Sequence, residues 1–211
     1  MSGEALHASR IGRERFERHY EASADPWGYR TSSYERDKYG ATLAALPPRP
    51  LAHVLEVGCS IGVFTRLLAE RCEQLVAVDF SARAIELARE QLHDLANVEL
   101  ARASFPEQTP PAAWDLVVCS EVLYYLDRKT FAEAIEWLRA RLEQGACVLA
   151  VSWRGEGVEE PISGDEAHDA LARELGRWHV LDARRDHYRL DRFDGAYGGG
   201  VSDGHVGDDR A

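Results

Sequence analysis

The chain has 211 residues, 45% of them hydrophobic and 29% charged, which is enough for one sizeable core with additions around it. Asp and Glu outnumber Lys and Arg by 36 to 25, a formal net charge of −11. That excludes a general nucleic-acid binder, which needs basic surface to replace phosphate counterions.

Residues 9–22 set Ile11, Phe16 and Tyr20 sparsely among charges, the pattern of a weak helix, and Asp25-Pro26-Trp27-Gly28 breaks it. Ser32-Ser33-Tyr34-Glu35 reads as a capping box, with Ser32 as N-cap and Glu35 three residues on. Tyr39, Leu43 and Leu46 follow at helical spacing until Pro47-Pro48-Arg49-Pro50 stops the helix. From there short apolar runs alternate with amphipathic segments. The expected strands are 53–57, 75–78, 98–101, 116–119 and 147–151. The helices between them carry Phe64 to Cys72, Ile85 to Leu92 and Phe131 to Leu142. Continuous apolar strands in such alternation predict an α/β fold, a mostly parallel sheet with helices on both faces. Ser163-Gly164-Asp165-Glu166 is a second capping box, opening a helix through Leu175. Residues 178–183 and 187–193 then read as two strands, antiparallel because their connection is too short for a crossover. The remainder is rich in Gly and Asp and is expected to be a disordered tail. The expected organisation is thus an N-terminal helical lid or substrate segment at 1–50, a ligand-binding domain at 51–193 and a tail at 194–211.

No apolar run approaches the roughly 20 residues of a membrane span, and MSGEALHASR has no apolar signal core. A soluble, cytoplasmic protein without a membrane partner is expected. Cys59, Cys72, Cys119 and Cys147 are widely spaced and read as reduced, buried hydrophobes; neither they nor the histidines show metal-ligand spacing, so no metal is expected.

The segment that carries chemistry is Glu56-Val57-Gly58-Cys59-Ser60-Ile61-Gly62, which follows a strand and opens a helix. Ligands of open α/β sheets sit at this end of the strands. Gly58 permits the sharp turn and Gly62 a close approach at the helix start. Ser60 stands where a dinucleotide fingerprint requires its middle glycine, so a ligand without pyrophosphate fits better, against a nicotinamide-dependent oxidoreductase. Asp79 ends the second strand, 21 residues after Gly58, where a carboxylate can accept from both hydroxyls of a ribose. An adenosine-containing ligand is implied.

Together with Asp115-Leu116-Val117-Val118-Cys119-Ser120-Glu121-Val122-Leu123, these motifs resemble those of class I S-adenosylmethionine-dependent methyltransferases. The resemblance implies a Rossmann-like, seven-stranded sheet of order 3-2-1-4-5-7-6 with strand 7 antiparallel. It also implies S-adenosylmethionine as cofactor and S-adenosylhomocysteine as product. Asp25-Pro26-Trp27, Tyr34-Glu35-Arg36 and Glu121-Val122-Leu123-Tyr124-Tyr125-Leu126 are similar to the nodulation protein S family, N-methyltransferases acting on the free amine of a deacetylated chitooligosaccharide.

Carried over by position, Gly58, Cys59 and Gly62 would line the methionine and ribose, with Glu56 as a supporting acid and Asp79 on the ribose hydroxyls. Phe80 would pack on the adenine. Ala103-Ser104-Phe105 occupies the place of the family's usual adenine-binding acid, Ser104 being its equivalent. Trp27 and Arg36 belong to the lid, Trp27 to cover the cofactor or stack on a sugar and Arg36 to pair with the cofactor carboxylate. Glu121, Tyr124 and Tyr125 would form the catalytic edge, one tyrosine functional and one structural, with Tyr124 preferred; Glu35 is read as a cap. Trp153, Arg154, Glu156, Glu159 and Glu160 form a loop at the substrate end. The implied reaction is methylation of an amine on a small molecule or amino sugar. The alternatives are an oxygen or carbon acceptor, or a non-catalytic module that binds S-adenosylmethionine.

Overall fold

The computed structural model describes residues 14, 16–155 and 160–197. Two helices lead the chain, α1 at 16–22 and α2 at Ser33–Ala44. Alternating strands and helices follow: β1 (His53–Val57), α3 (Val63–Ala69), β2 (Gln74–Asp79), α4 (Ala82–Leu92), β3 (Val98–Arg102), β4 (Leu116–Ser120), α5 (Arg128–Glu143) and β5 (Cys147–Trp153). The chain closes with α6 (Gly164–Glu174), β6 (His179–Arg184) and β7 (Tyr188–Asp194).

The seven strands form one sheet of order β3-β2-β1-β4-β5-β7-β6. β1 to β5 pair in parallel, while β7 runs antiparallel to both β5 and β6. This is the Rossmann-like class I methyltransferase topology, as expected from the sequence. The pleat explains why the central strands are apolar throughout. Leu55, Val57, Val117, Cys119, Val148 and Ala150 pack on one side with Phe131, Leu138 and Leu171 of α5 and α6. Val54, Leu116, Val118, Leu149 and Val151 pack on the other with Tyr39, Phe64 and Leu68 of α2 and α3.

Two capping expectations end differently. Ser163 and Glu166 form the reciprocal box at α6. At α2 only half of the box forms: the Ser32 hydroxyl accepts from the Glu35 N–H at 3.2 Å, but the Glu35 carboxylate turns to Lys38 instead. The domain also runs further than expected. Asp194 ends β7 fully buried, paired with Arg49 at 2.9 Å, and the Gly195 N–H donates to the Ala146 carbonyl. Of the expected tail, 198–211 lie outside the described residues. So do 9–13 and 15 of the first helix, and Glu156 and Glu159. No helix among the described residues is long and apolar enough to cross a membrane.

Candidate active site

The site lies at the carboxyl ends of β1, β2 and β4. At the end of β1 the chain reverses: Gly58 and Cys59 both donate to the Val78 carbonyl, at 2.8 and 3.0 Å. Gly58 has φ +78°, and a Cβ there would lie 2.1 Å from Val122 Cγ2, so only glycine lets the β1 and β4 loops meet. Ser60 also takes a left-handed φ of 50°. Its hydroxyl lies 2.6 Å from the Tyr20 hydroxyl of α1.

Asp79 clasps this loop. Its Oδ2 accepts from the Ser60 N–H at 3.0 Å and its Oδ1 from the Ser81 N–H at 2.9 Å. Burial outweighs these two bonds and pushes the carboxyl up to about 6. Glu56, buried at the heart of β1, is pushed up to about 7 by burial, with the Thr65 hydroxyl opposing and the Asp79 charge adding. Its Oε2 has no hydrogen-bond partner. Cys59 is buried too, and burial pushes its thiol well up, so it is an inert part of the loop wall.

At the end of β4, Glu121 holds a left-handed φ of 57°, a strained conformation for a residue with a Cβ. Its side chain turns into three donors. Lys38 Nζ is 2.6 Å from Oε1, and the Tyr124 hydroxyl (2.5 Å) and Trp153 N–H (3.0 Å) donate to Oε2. Lys38 is 1% exposed and also donates to Glu35 Oε1 at 3.0 Å, with its ammonium 4.9 Å from the Tyr34 ring centre. Burial, with the Glu121 charge adding, raises the Tyr124 phenol far above its ordinary range, so Tyr124 keeps its proton. Tyr124 also lines a cleft of about 330 Å³, with Gly155, Glu160–Gly164 and Glu166 on the other walls.

The N-terminal segment covers this edge. Glu17 accepts from the Ser81 hydroxyl at 2.9 Å and the Ala82 N–H at 3.1 Å, capping α4 from outside. The Phe16 ring meets Phe80 and Tyr125 edge-on, at 5.5 and 4.9 Å. Trp27 is 37% exposed and packs its ring on Phe16, His19, Tyr20 and Tyr29.

The structure thus gathers Glu56, Gly58, Cys59, Gly62 and Asp79 around one loop. It brings Glu121 and Tyr124 into one cluster and sets Phe80, Tyr125 and Trp27 under or within the lid. After β3, the Ala103 N–H donates to the Asp79 carbonyl and the Ser104 N–H to Gln108. Phe105 turns into the core against Trp137, which removes its ring from a cofactor wall. Arg36 is not brought to the loop: it is exposed and donates to the Thr31 carbonyl at 3.0 Å, because Lys38, two residues on, takes the inward face of α2. Lys38, Glu17 and Phe16 were not expected in the site. Lys38 had a signal, being one of two lysines in a chain whose other basic residues are arginine.

Comparisons with known proteins bear on the family and the fold. The nodulation protein S (NodS) family model matches residues 11–160. Nodulation protein S of Sinorhizobium fredii is 33% identical over 107 residues, 50% of this chain and 50% of that protein. The Bradyrhizobium diazoefficiens protein is 36% identical over 103 residues, 48% and 49% of the two chains. The match therefore spans about half the length of these curated relatives. A putative methyltransferase from Pseudomonas syringae is 34% identical, with a TM-score of 0.66 over 77% of this chain and 99% of that one. The N-methyltransferase NodS from Bradyrhizobium japonicum, solved with S-adenosylhomocysteine, shares the fold with a TM-score of 0.72 at 22% identity, over 87% and 97% of the two chains. This chain belongs to the nodulation protein S family.

Proposed function

We propose that this protein is an S-adenosylmethionine-dependent N-methyltransferase acting on an amine of a small molecule, with an amino sugar or oligosaccharide as the acceptor class. The observation that carries this reading is the carboxyl edge itself. Asp79 clasps the Gly58–Gly62 loop, and Glu121 stands beside it with its tyrosine turned to the cleft. The residues fit the cofactor's chemistry. Two buried acids, Glu56 with an unpartnered oxygen and Asp79, suit a cationic sulfonium with ribose hydroxyls. The Ser60 hydroxyl, bonded to Tyr20, stands where a pyrophosphate would need room.

Bound S-adenosylmethionine supplies an electrophilic methyl that a neutral amine takes in line, the C–S electron pair staying on sulfur. The chain's own task is to hold, orient and exclude water. Asp79 would hold the adenosine end, accepting from the ribose hydroxyls while it braces the Gly58–Gly62 loop. Tyr124 spends its proton on Glu121, so its phenol oxygen can only accept; at the cleft wall, with Tyr125 beside it, it would take an acceptor N–H and turn the nitrogen lone pair to the methyl. The aromatic lid of Phe16, Trp27 and Tyr125 excludes water.

Calorimetric titration with S-adenosylmethionine and S-adenosylhomocysteine tests the cofactor. Binding is expected, and Asp79→Ala should weaken it about 30-fold, the loss of one charge-assisted hydrogen bond of about 2 kcal/mol. Folded protein that binds neither ligand refutes the reading. Mass gain on a partly deacetylated chitooligosaccharide, set against neutral sugars, tests the acceptor.

A further inference from the structure

We propose that Lys38 is a positioning residue of methyl transfer, clamping the Glu121 carboxylate from α2 so that Glu121 stays a rigid acceptor for Tyr124 at the wall of the cleft. The proposal rests on the methyltransferase reading.

Glu121 is held from near and from distant parts of the chain. Its backbone is strained at φ 57°, and its carboxylate lies between β4, the turn at 123–125 and the end of β5. The Tyr124 and Trp153 donors both fall on Oε2. Among the described residues Oε1 has a single donor, Lys38 Nζ, 83 residues away in sequence and on α2. Without that donor the carboxylate is held through Oε2 alone, by Tyr124 and the Trp153 N–H, and can pivot on that oxygen, so the Tyr124 hydroxyl loses a rigid acceptor.

Lys38 is itself fixed by Glu35 and by the Tyr34 ring beneath its ammonium. A lysine 1% exposed, held between two carboxylates, is a costly arrangement that packing alone does not require. The cluster holds two acids and one base, a net charge of −1. That gives a direct way to separate clamping from charge balance. Lys38→Met alone leaves the buried Glu35 and the half-buried Glu121 without their cation and is at risk of misfolding. Lys38→Met with Glu35→Gln restores the net charge of −1 but removes the clamp.

The test uses full-length protein labelled with ¹³C at the tyrosine ring carbon that bears oxygen, with the Tyr124 resonance assigned by its loss in Tyr124→Phe. Glu121→Gln marks the shift of an unclamped phenol. The double variant should stay folded, bind S-adenosylhomocysteine within about threefold of wild type, and show Tyr124 shifted as in Glu121→Gln. Methyl transfer to the chitooligosaccharide amine should fall on the order of 100-fold in kcat with little change in KM, the cost of misplacing a reacting group by about 1 Å. Lys38→Arg, which keeps a donor, should recover part of the shift and of kcat. A double variant with a wild-type Tyr124 resonance overturns the proposal and reduces Lys38 to charge balance. Because the resonance is read without turnover, an inactive wild-type protein would count against the methyltransferase reading and leave the clamp to be judged on the spectrum.

Discussion

Two buried ionic clusters stand at opposite ends of the molecule's working range. At the site edge, Lys38 lies between Glu35 and Glu121; one acid holds a left-handed backbone, and the other has a buried oxygen with no partner. In the β6–β7 hairpin, Asp191 sits 2.5 Å from His168 Nδ1, 2.9 Å from His179 Nε2 and 3.1 Å from Arg189 Nε. Arg189 goes on to Asp169 at 2.6 Å. The hairpin cluster surrounds one acid with cationic or donor groups and joins the sheet to α6. The site cluster leaves acid in excess and joins the sheet to the lid. Both clusters keep a buried polar atom without a hydrogen-bond partner, Glu35 Oε2 in one and His168 Nε2 in the other; what sets them apart is the strained backbone of Glu121 at the site edge and the surplus of cationic and donor groups around Asp191 in the hairpin.

Asp191 of the hairpin and Glu56 beside the glycine loop titrate in opposite senses. Burial would raise Asp191, but hydrogen bonds from the two histidines and the Arg189 charge hold it below its ordinary value. A depressed carboxyl contributes stability above its unfolded value that is lost as the pH falls through the folded one. Removing that charge should give the largest effect. Asp191→Asn is expected to cost about 3 kcal/mol in denaturant unfolding at pH 7, by leaving Arg189 undercompensated, with unchanged affinity for S-adenosylhomocysteine in the folded fraction. An equal loss of stability in Glu121→Gln would erase the contrast.

Glu56 has the opposite sign. Its carboxyl rises from 4.5 to about 7, so between those values the folded state keeps a proton that the unfolded state releases. Its contribution is whole below about pH 4.5 and gone above about pH 7. Glu56→Gln should therefore stabilise the protein at pH 8 by about 2 kcal/mol, after the cost of a buried amide, and change little at pH 4. Thermal unfolding at the two pH values checks this; a destabilised variant at pH 8 would show that Glu56 is ionised and paired.

Ligand binding should sharpen the same point. As Asp79 and Glu56 ionise, near pH 6 and 7, affinity for the cationic S-adenosylmethionine should rise relative to its neutral product by about fivefold, or about 1 kcal/mol. Parallel pH profiles for the two ligands in calorimetry would place the sulfonium away from these acids. The smallest effect belongs to Arg36→Ala, whose guanidinium is bound to its own loop. Stability within about 0.5 kcal/mol and unaltered ligand affinity are expected, and a weakened cofactor would return Arg36 to the site.

The legible part of the molecule is the part made by neighbours in sequence. Continuous apolar runs mark β4 and β5 because the pleat buries both faces, and the short link between β6 and β7 dictates antiparallel pairing. Gly58, Gly62 and Asp79 stand out because a strand, a turn and a helix start follow one another directly. Glu35 shows the limit. Its spacing from Ser32 is that of a capping box, yet a buried ammonium three residues on is a stronger partner for a carboxylate than a backbone N–H. Arg36 shows it again, since a motif's position does not say which way a side chain turns, and its guanidinium turns to the Thr31 carbonyl.

Fold class, the strands and the glycine loop follow from the sequence, because hydrophobic period, turn chemistry and helix starts act over a few residues; the strand order is implied by the family resemblance, since no local signal carries it. Only the tertiary structure decided that Lys38 meets Glu121 across 83 residues, that Glu17 caps a helix 65 residues away, and that His168 and Asp191 share a buried bond. Such contacts leave no period in the chain; they exist because the closed sheet removes water from charges that packing has brought together, and each charge then takes the partner left within reach.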